Sequence, residues 1–372
     1  MNDWKNCFVC IKCNTKFSLD EPRWKCNCGG LLDICFKPAF PMDKIKNRKP
    51  GMWRYREAVP IENDKCIISL GEGFTPILEI EIAGKQVLVK QEHLFPSGSY
   101  KDRGASVLIS KINDLGIKHV VEDSSGNAGA AIAAYCAAAG IGCDIYVPAD
   151  TSYAKLSQVQ SYGANLFKIP GSREDTAAAV LKAAQSTYYA SHSWNPFFFH
   201  GTKTFAFEVS EQLDWNAPDT VILPAGNGTL LLGASIGFNE LHDAGIIKKI
   251  PRLIAVQAEH CAPLFNKTQS QSLPFKKTIA EGIAIAEPVR GPQMIDAVKK
   301  SSGFFITVSE DEIEKALFNI HRKGFYIEPT SAAVIAGVQK YLTEWGTNNN
   351  ETVVSAFTGH GLKKSASISF NE

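Results

Sequence analysis

Residues 119–148 read HVVEDSSGNAGAAIAAYCAAAGIGCDIYVP, and this run decides the fold class. Residues 119–122 form a short apolar strand signal. The turn Asp123-Ser124-Ser125-Gly126-Asn127 follows, then a small-residue helix over 128–139 and a second strand over 144–147 that stops at Pro148. Strand, helix and strand in this order make a βαβ unit, whose two strands must be parallel.

The same alternation extends outward. The pattern predicts strands over 86–90, 220–223, 253–257 and 352–357, and helices over 104–115 and 310–323. A helix should also follow the turn Pro224-Ala225-Gly226-Asn227-Gly228. The expected class is α/β, with parallel sheets covered by helices. A chain of 372 residues suits about two domains. Hydrophobic residues make up 45% and charged residues 21%, enough apolar content for a large core.

Lys plus Arg number 39 and Asp plus Glu 38, a net charge of +1. That balance argues against a nucleic-acid partner and against a polybasic membrane contact. The charge-free stretches 124–143, 183–202 and 220–239 raise the question of membrane spans. The first is Ala, Gly and Ser, and the others are broken by Pro196, Pro224 and polar residues, so no span is expected. No basic segment leads into an apolar one at the start, so a cytoplasmic, reducing setting is expected.

Six of the ten cysteines fall within the first 35 residues. Cys10-x2-Cys13 and Cys26-x-Cys28 form two knuckles that could gather four thiolates around a structural zinc. The alternative is a metal-free unit that keeps the shape of a zinc ribbon. Cys7 and Cys35 offer further thiols. Either way the role is structural, because four thiolates leave no open position.

Four turns could carry chemistry. Pro96-Ser97-Gly98-Ser99-Tyr100-Lys101-Asp102-Arg103-Gly104 sets a lysine where a loop becomes a helix. A lysine so held could bond to an aldehyde cofactor, although a surface lysine at a helix start looks the same. Ser124, Ser125, Gly126 and Asn127 form an anion-site candidate at a helix N-terminus. Gly226, Asn227, Gly228, Thr229 and Leu230 form a phosphate-cradle candidate, and it is neither a Walker loop nor a full GxGxxG. Thr358-Gly359-His360-Gly361-Leu362-Lys363 closes the last strand.

Together these turns are the parts that a pyridoxal-phosphate site requires, and the chain resembles the tryptophan-synthase-β-like (fold type II) pyridoxal-phosphate enzymes. Within them it resembles the threonine synthase family. The likeness covers nearly the whole chain: the cysteine-rich start, Met52-Trp53-Arg54-Tyr55-Arg56, Gly71-Glu72-Gly73-Phe74-Thr75-Pro76, SGSYKDRG, SSGNAG, GNGTL, Gly201-Thr202-Lys203-Thr204 and TGHGLK.

The resemblance implies two parallel or mixed-sheet domains with pyridoxal 5'-phosphate in the cleft between them. It implies a large cofactor-binding domain over 43–96 and 215–372, a small mobile domain over 97–214, and the zinc-ribbon-like unit over 1–42. Lys101 would carry the cofactor and shuttle protons. Asn127 would meet the phenolic oxygen, residues Gly226, Asn227, Gly228, Thr229 and Leu230 the phosphate, and Thr358 the ring nitrogen. Ser124, Ser125 and Gly126 would bind the substrate carboxylate. The expected partner is a small amino-acid substrate, and the expected assembly a homodimer.

Two departures bear on the substrate. Threonine synthases commonly carry a segment Asn-Ser-x-Asn-Pro-x-Arg before Gly-x-Lys-Thr, whose Asn, Ser and Arg help bind the substrate phosphate. Here His192-Ser193-Trp194-Asn195-Pro196-Phe197-Phe198 keeps Ser193 and Asn195, with His192 for the asparagine and Phe198 for the arginine. An arginine gives phosphate a bidentate, charge-assisted pair and a phenylalanine gives none. Lys203, His192 or Arg173 would have to compensate. The segment 278–284, with Glu281, looks more like threonine and serine dehydratases. The leading expectation is conversion of O-phosphohomoserine and water to threonine and phosphate; the alternative is β-elimination from threonine, serine or a related amino acid.

Overall fold

The computed structural model describes residues 6–151, 153–171, 173–345 and 350–363. The chain forms two compact units, residues 1–73 with 101–202 and residues 74–100 with 203–372.

In the first unit the βαβ run is present as read. Strand His119–Glu122 leads into helix Asn127–Ala139 and then strand Gly142–Pro148, and the two strands pair in parallel. The sheet has four strands, in the order Asn165–Ile169, Gly142–Pro148, His119–Glu122, Tyr188–Tyr189, all parallel. Successive strands step outward from His119–Glu122, and Tyr188–Tyr189 then returns to its other side. Such a reversal opens a crevice at the carboxyl ends of the two strands that flank it.

Glu72 fixes two helices of this unit. Its buried carboxylate accepts hydrogen bonds from Ser106 Oγ at 2.7 Å, Tyr135 OH at 2.8 Å and Trp53 Nε1 at 2.9 Å. A buried acid is tolerated when it has such a set of donors. Ser106 lies on helix Lys101–Asp114 and Tyr135 on Asn127–Ala139, so one side chain ties the two helices together. Residues 43–73 therefore belong with this unit. Helix Pro196–Thr202 packs directly on Lys101–Asp114. A side chain at Gly104 would overlap the Phe198 ring, and one at Gly201 the Arg103 carbonyl.

The cysteine-rich start shares this core. Cys7–Cys10 is the middle strand of a three-stranded antiparallel sheet, between Lys16–Phe17 and Leu32–Cys35. Phe8 meets Phe197 edge-on at 5.7 Å, and Trp24 meets Tyr189 and Trp194 at 5.0 and 5.5 Å.

The second unit has a six-stranded sheet in the order Phe305–Val308, Arg252–Ala258, Thr220–Pro224, Val353–Ala356, Lys85–Lys90, Ile77–Ile82. The first five are parallel and the last closes the edge as an antiparallel hairpin. Thr220–Pro224 and Val353–Ala356 are buried at every residue, as parallel strands covered on both faces must be. The order reverses again between these two strands.

Helix Thr204–Gln212 joins this unit through Lys90, whose buried ammonium meets Glu208 at 3.0 Å, Gln212 Oε1 at 2.8 Å and the Thr75 carbonyl at 2.9 Å. The division thus falls at residues 100 and 202, where the sequence suggested 96 and 214. Among the described residues no helix is long and apolar enough to cross a membrane.

Candidate active site

In the first unit the candidate residues gather at the crevice beside His119–Glu122. Lys101 opens helix Lys101–Asp114, with its ammonium 5.7 Å from the centre of the Phe198 ring. The turn after His119–Glu122 is tight: Gly126 N–H donates to Ser124 Oγ at 3.3 Å, and a side chain at Gly129 would overlap the Ser124 carbonyl. No side chain caps helix Asn127–Ala139. Its first N–H groups and helix dipole therefore favour an anion beside Ser124, Ser125, Gly126 and Asn127. Tyr189, from the strand across the crevice, donates to Asp123 Oδ1 at 2.7 Å.

His192 comes from the same side as Tyr189. Its Nδ1 lies 2.6 Å from Glu122 Oε1, and its ring meets Phe198 edge-on at 6.0 Å. Glu122 has no exposed surface, and its other carboxyl oxygen has no hydrogen-bond partner. Burial pushes the Glu122 carboxyl well above its ordinary pKa, with the Asp123 charge adding to the effect. Sequence reading noted His192 and missed Glu122, whose only signal was an acid at the end of an apolar strand.

The expected substrate contacts part company. Ser193 Oγ lies 3.2 Å from Ser191 Oγ. Asn195 is engaged on both sides of its amide: Oδ1 accepts from Phe197 N–H at 3.1 Å and Nδ2 donates to Tyr188 OH at 2.8 Å. Phe198 is wholly buried. Lys203 belongs to the second unit, where its buried ammonium pairs with Glu240 at 2.8 Å. Burial pulls the Lys203 pKa down, and Glu240 opposes that shift. The Arg173 side chain lies outside the described residues.

In the second unit the two remaining turns sit at the second reversal. Gly226 to Leu230 follow strand Thr220–Pro224, and Thr358 follows Val353–Ala356. A side-chain carbon at Gly226 would come within 2.8 Å of the Gly282 carbonyl, and one at Gly228 would overlap Met294. Gly228 has φ +72°, which only glycine adopts at low cost, and no side chain caps the following helix Thr229–Asp243. Tyr100 ties the turns together: its N–H donates to the Thr358 carbonyl at 3.1 Å, and its hydroxyl lies 2.7 Å from Thr229 Oγ1. Lys101 is the next residue.

Two residues here escaped sequence reading. Ser331 Oγ accepts from the N–H groups of Thr358 at 2.8 Å and Gly359 at 3.1 Å and lies 3.1 Å from the Thr358 hydroxyl. Thr358 Oγ1 also lies 3.4 Å from Glu328 Oε1. Glu281 is exposed, but its neighbours Gly282 and Ile283 pack over Gly226.

These residues fit a phosphate-bearing aldehyde cofactor. Gly226 and Gly228 let the turn lie close against Gly282 and Met294, and the uncapped N–H groups at the start of helix Thr229–Asp243 can receive a phosphate. The Ser99 hydroxyl, two residues before Lys101, is buried with no hydrogen-bond partner, as a ligand-facing group would be.

The four sulfurs of Cys10, Cys13, Cys26 and Cys28 lie within 4.8 Å of one another. Cys10 and Cys28 are 3.5 Å apart, and Cys13 and Cys26 3.6 Å. A tetrahedral zinc about 2.3 Å from each sulfur would set them about 3.8 Å apart. Gly30 permits this closeness, because a side-chain carbon there would stand 2.9 Å from the Cys10 sulfur. Cys7 and Cys35 face each other across the sheet register, outside the group of four.

Residues 68–359 match the family of pyridoxal-phosphate dependent enzymes. The fold agrees: the chain overlays threonine deaminase isoform 2 of Solanum lycopersicum with a TM-score of 0.68 at 19% identity, covering 87% of this chain and 92% of that one. The class is therefore a pyridoxal-phosphate-dependent lyase of α/β fold. More narrowly, the chain is 38% identical to the threonine synthase of Methanocaldococcus jannaschii, over 95% of its length and 92% of that protein's. It is 34% identical to the threonine synthase of Methanosarcina acetivorans, over 95% and 91%. The chain belongs to the threonine synthase family.

Proposed function

We propose that the chain converts O-phosphohomoserine and water to threonine and phosphate. The observation that carries this reading is the 38% identity to a threonine synthase across 95% of the chain. Pyridoxal phosphate, when bound, supplies an electron sink that acidifies the substrate's α-proton. Lys101 would hold the cofactor covalently and then carry that proton. Asn127 would donate to the phenolic oxygen. Backbone N–H groups of Gly226, Asn227, Gly228, Thr229 and Leu230 would receive the phosphate. The Thr358 hydroxyl, steadied by Ser331, would face the ring nitrogen; a neutral partner there leaves that nitrogen unprotonated. Ser124, Ser125 and Gly126 would hold the substrate carboxylate, with Ser193 further along the substrate.

The same proposal gives Cys10, Cys13, Cys26 and Cys28 a structural zinc, supported by the spacing of their sulfurs. A homodimer and a cytoplasmic location belong to it as well.

β-Elimination from threonine or serine is the second reading. It is favoured by Phe198, a buried apolar ring where the resemblance places a phosphate-binding arginine. A substrate panel read for phosphate, ammonia and 2-oxo acid separates the two. The purified protein should be yellow and release phosphate from O-phosphohomoserine. Lys101→Ala should lose both the colour and the activity. Ammonia and 2-oxo acid from threonine, with no phosphate release from O-phosphohomoserine, would overturn the first reading.

A further inference from the structure

We propose that Cys7 and Cys35 are a peroxide-reactive thiol pair whose reversible disulfide braces the strands beneath helix Pro196–Thr202.

Neither residue belongs to the group of four sulfurs. They are direct partners across the antiparallel strands Cys7–Cys10 and Leu32–Cys35, so their side chains leave the same face of the sheet. Opposed residues in such a pair have Cα atoms about 4.5–5.5 Å apart, within the roughly 4.4–6.8 Å that a disulfide spans. The two thiols also act on each other. Burial pushes the Cys7 thiol up, the Cys35 thiol beside it adds to the shift, and the Lys16 ammonium opposes it.

Exposure assigns the roles. Cys35 is exposed and Cys7 has no exposed surface. A hydroperoxide therefore meets Cys35 first. The Cys35 sulfur, having given up its proton, attacks one peroxide oxygen and breaks the O–O bond. It becomes a sulfenic acid, and the other oxygen takes the proton and leaves as an alcohol, or as water from hydrogen peroxide. The Cys7 sulfur then attacks the Cys35 sulfur, and the sulfenic oxygen departs with the Cys7 proton as water. The two thiols are oxidised and the peroxide is reduced. External thiols reverse the bond by exchange. In a reducing compartment such bonds are transient and report on oxidants. Cys136 and Cys143 are also neighbours, but both are buried, which keeps an oxidant from them.

The bond would act on the helix through two rings. Phe8, next to Cys7, meets Phe197 edge-on at 5.7 Å. Phe36, next to Cys35, meets His200 edge-on at 6.2 Å. Phe197 and His200 both lie on helix Pro196–Thr202, which packs on the helix that Lys101 opens. A bond between Cys7 and Cys35 fixes the spacing of the two rings. It also closes residues 8–34, all four knuckle cysteines included, into one loop.

The test treats the full-length, cofactor-loaded protein, with zinc in excess, with hydrogen peroxide. Free thiols are then alkylated and the protein is digested without reductant. Mass spectrometry should find a Cys7–Cys35 cross-link that dithiothreitol reverses. Amide hydrogen exchange over 196–202 should slow in the oxidised protein and recover on reduction. Cys35→Ser, a change at an exposed position, should form no cross-link and show no change in exchange. In Cys7→Ser the Cys35 sulfenic acid has no thiol to resolve it, and dimedone should trap it.

Cofactor absorbance reports that each protein is folded. A cross-link among Cys10, Cys13, Cys26 and Cys28, one between Cys136 and Cys143, or none at all in the folded wild type overturns the inference. Unchanged exchange over 196–202 in the cross-linked protein overturns it as well.

Discussion

His93 shows how much one ring can tell about this protein. It sits in the second unit against Phe357 and His360, both at 5.6 Å between ring centres, and its Nδ1 is buried without a partner. Burial lowers its pKa from 6.5 to about 4, and the nearby His360 adds to the shift. The folded chain therefore refuses a proton that the unfolded chain accepts. Its stabilising effect is complete above pH 6.5 and is lost as pH falls towards 4. The cost is on the order of 3 kcal/mol. His93→Phe should flatten the fall in denaturation midpoint between pH 7 and pH 4.5, and equal falls in both proteins would refute the account. At this scale the sequence was only partly legible. Lys101, Asn127 and Thr358 stand in motifs that local reading can find. Ser331 and Glu122 take their meaning from partners 27 and 70 residues away, and no local pattern records such a pairing.

Elements with a clear period or clear punctuation were read correctly from the sequence. The strand His119–Glu122 has the predicted bounds, and helix Asn127–Ala139 begins one residue before its predicted start. Tyr188–Tyr189 was missed because two residues carry no period. Ile77–Ile82 was missed too; as an edge strand it leaves three of its six residues exposed. The cysteine knuckles give the clearest prediction at this scale. Cys10→Ser should leave three thiolates, weaken metal binding and lower the melting temperature of the first unit. Its effect should extend beyond the knuckles, because Trp24 packs on Tyr189 and Trp194. Elemental analysis should find about one zinc per wild-type chain. A metal-free wild type whose stability is indifferent to chelator would leave only the relic reading.

At the scale of the whole molecule, each unit is built from two separated stretches of chain. Sequence reading expected two α/β domains, the larger of them discontinuous. It drew the borders elsewhere because Glu72, Tyr100 and Lys90 decide them by long-range contacts. The strand Val353–Ala356 lies between Thr220–Pro224 and Lys85–Lys90. A chain ending at residue 350 should therefore lose the second unit's sheet while the first unit keeps its own. Limited proteolysis should cut that truncated chain within 74–100 and after 202, and should leave the first unit's helices protected. Resistance across 203–350 would contradict this.

The position of that strand also sets a clock. A ribosome adding roughly 5–20 residues per second takes roughly 8–30 s to pass from residue 202 to residue 353. Through that interval Lys85–Lys90 has its hairpin partner on one side and an unfilled edge on the other, a surface that invites pairing with foreign strands. Newly made chains should accordingly lean on chaperones late in translation, after the first unit has all its residues. Thr358 emerges only after the strand that closes the sheet. A product terminated before residue 353 therefore lacks the central strand and Thr358 together.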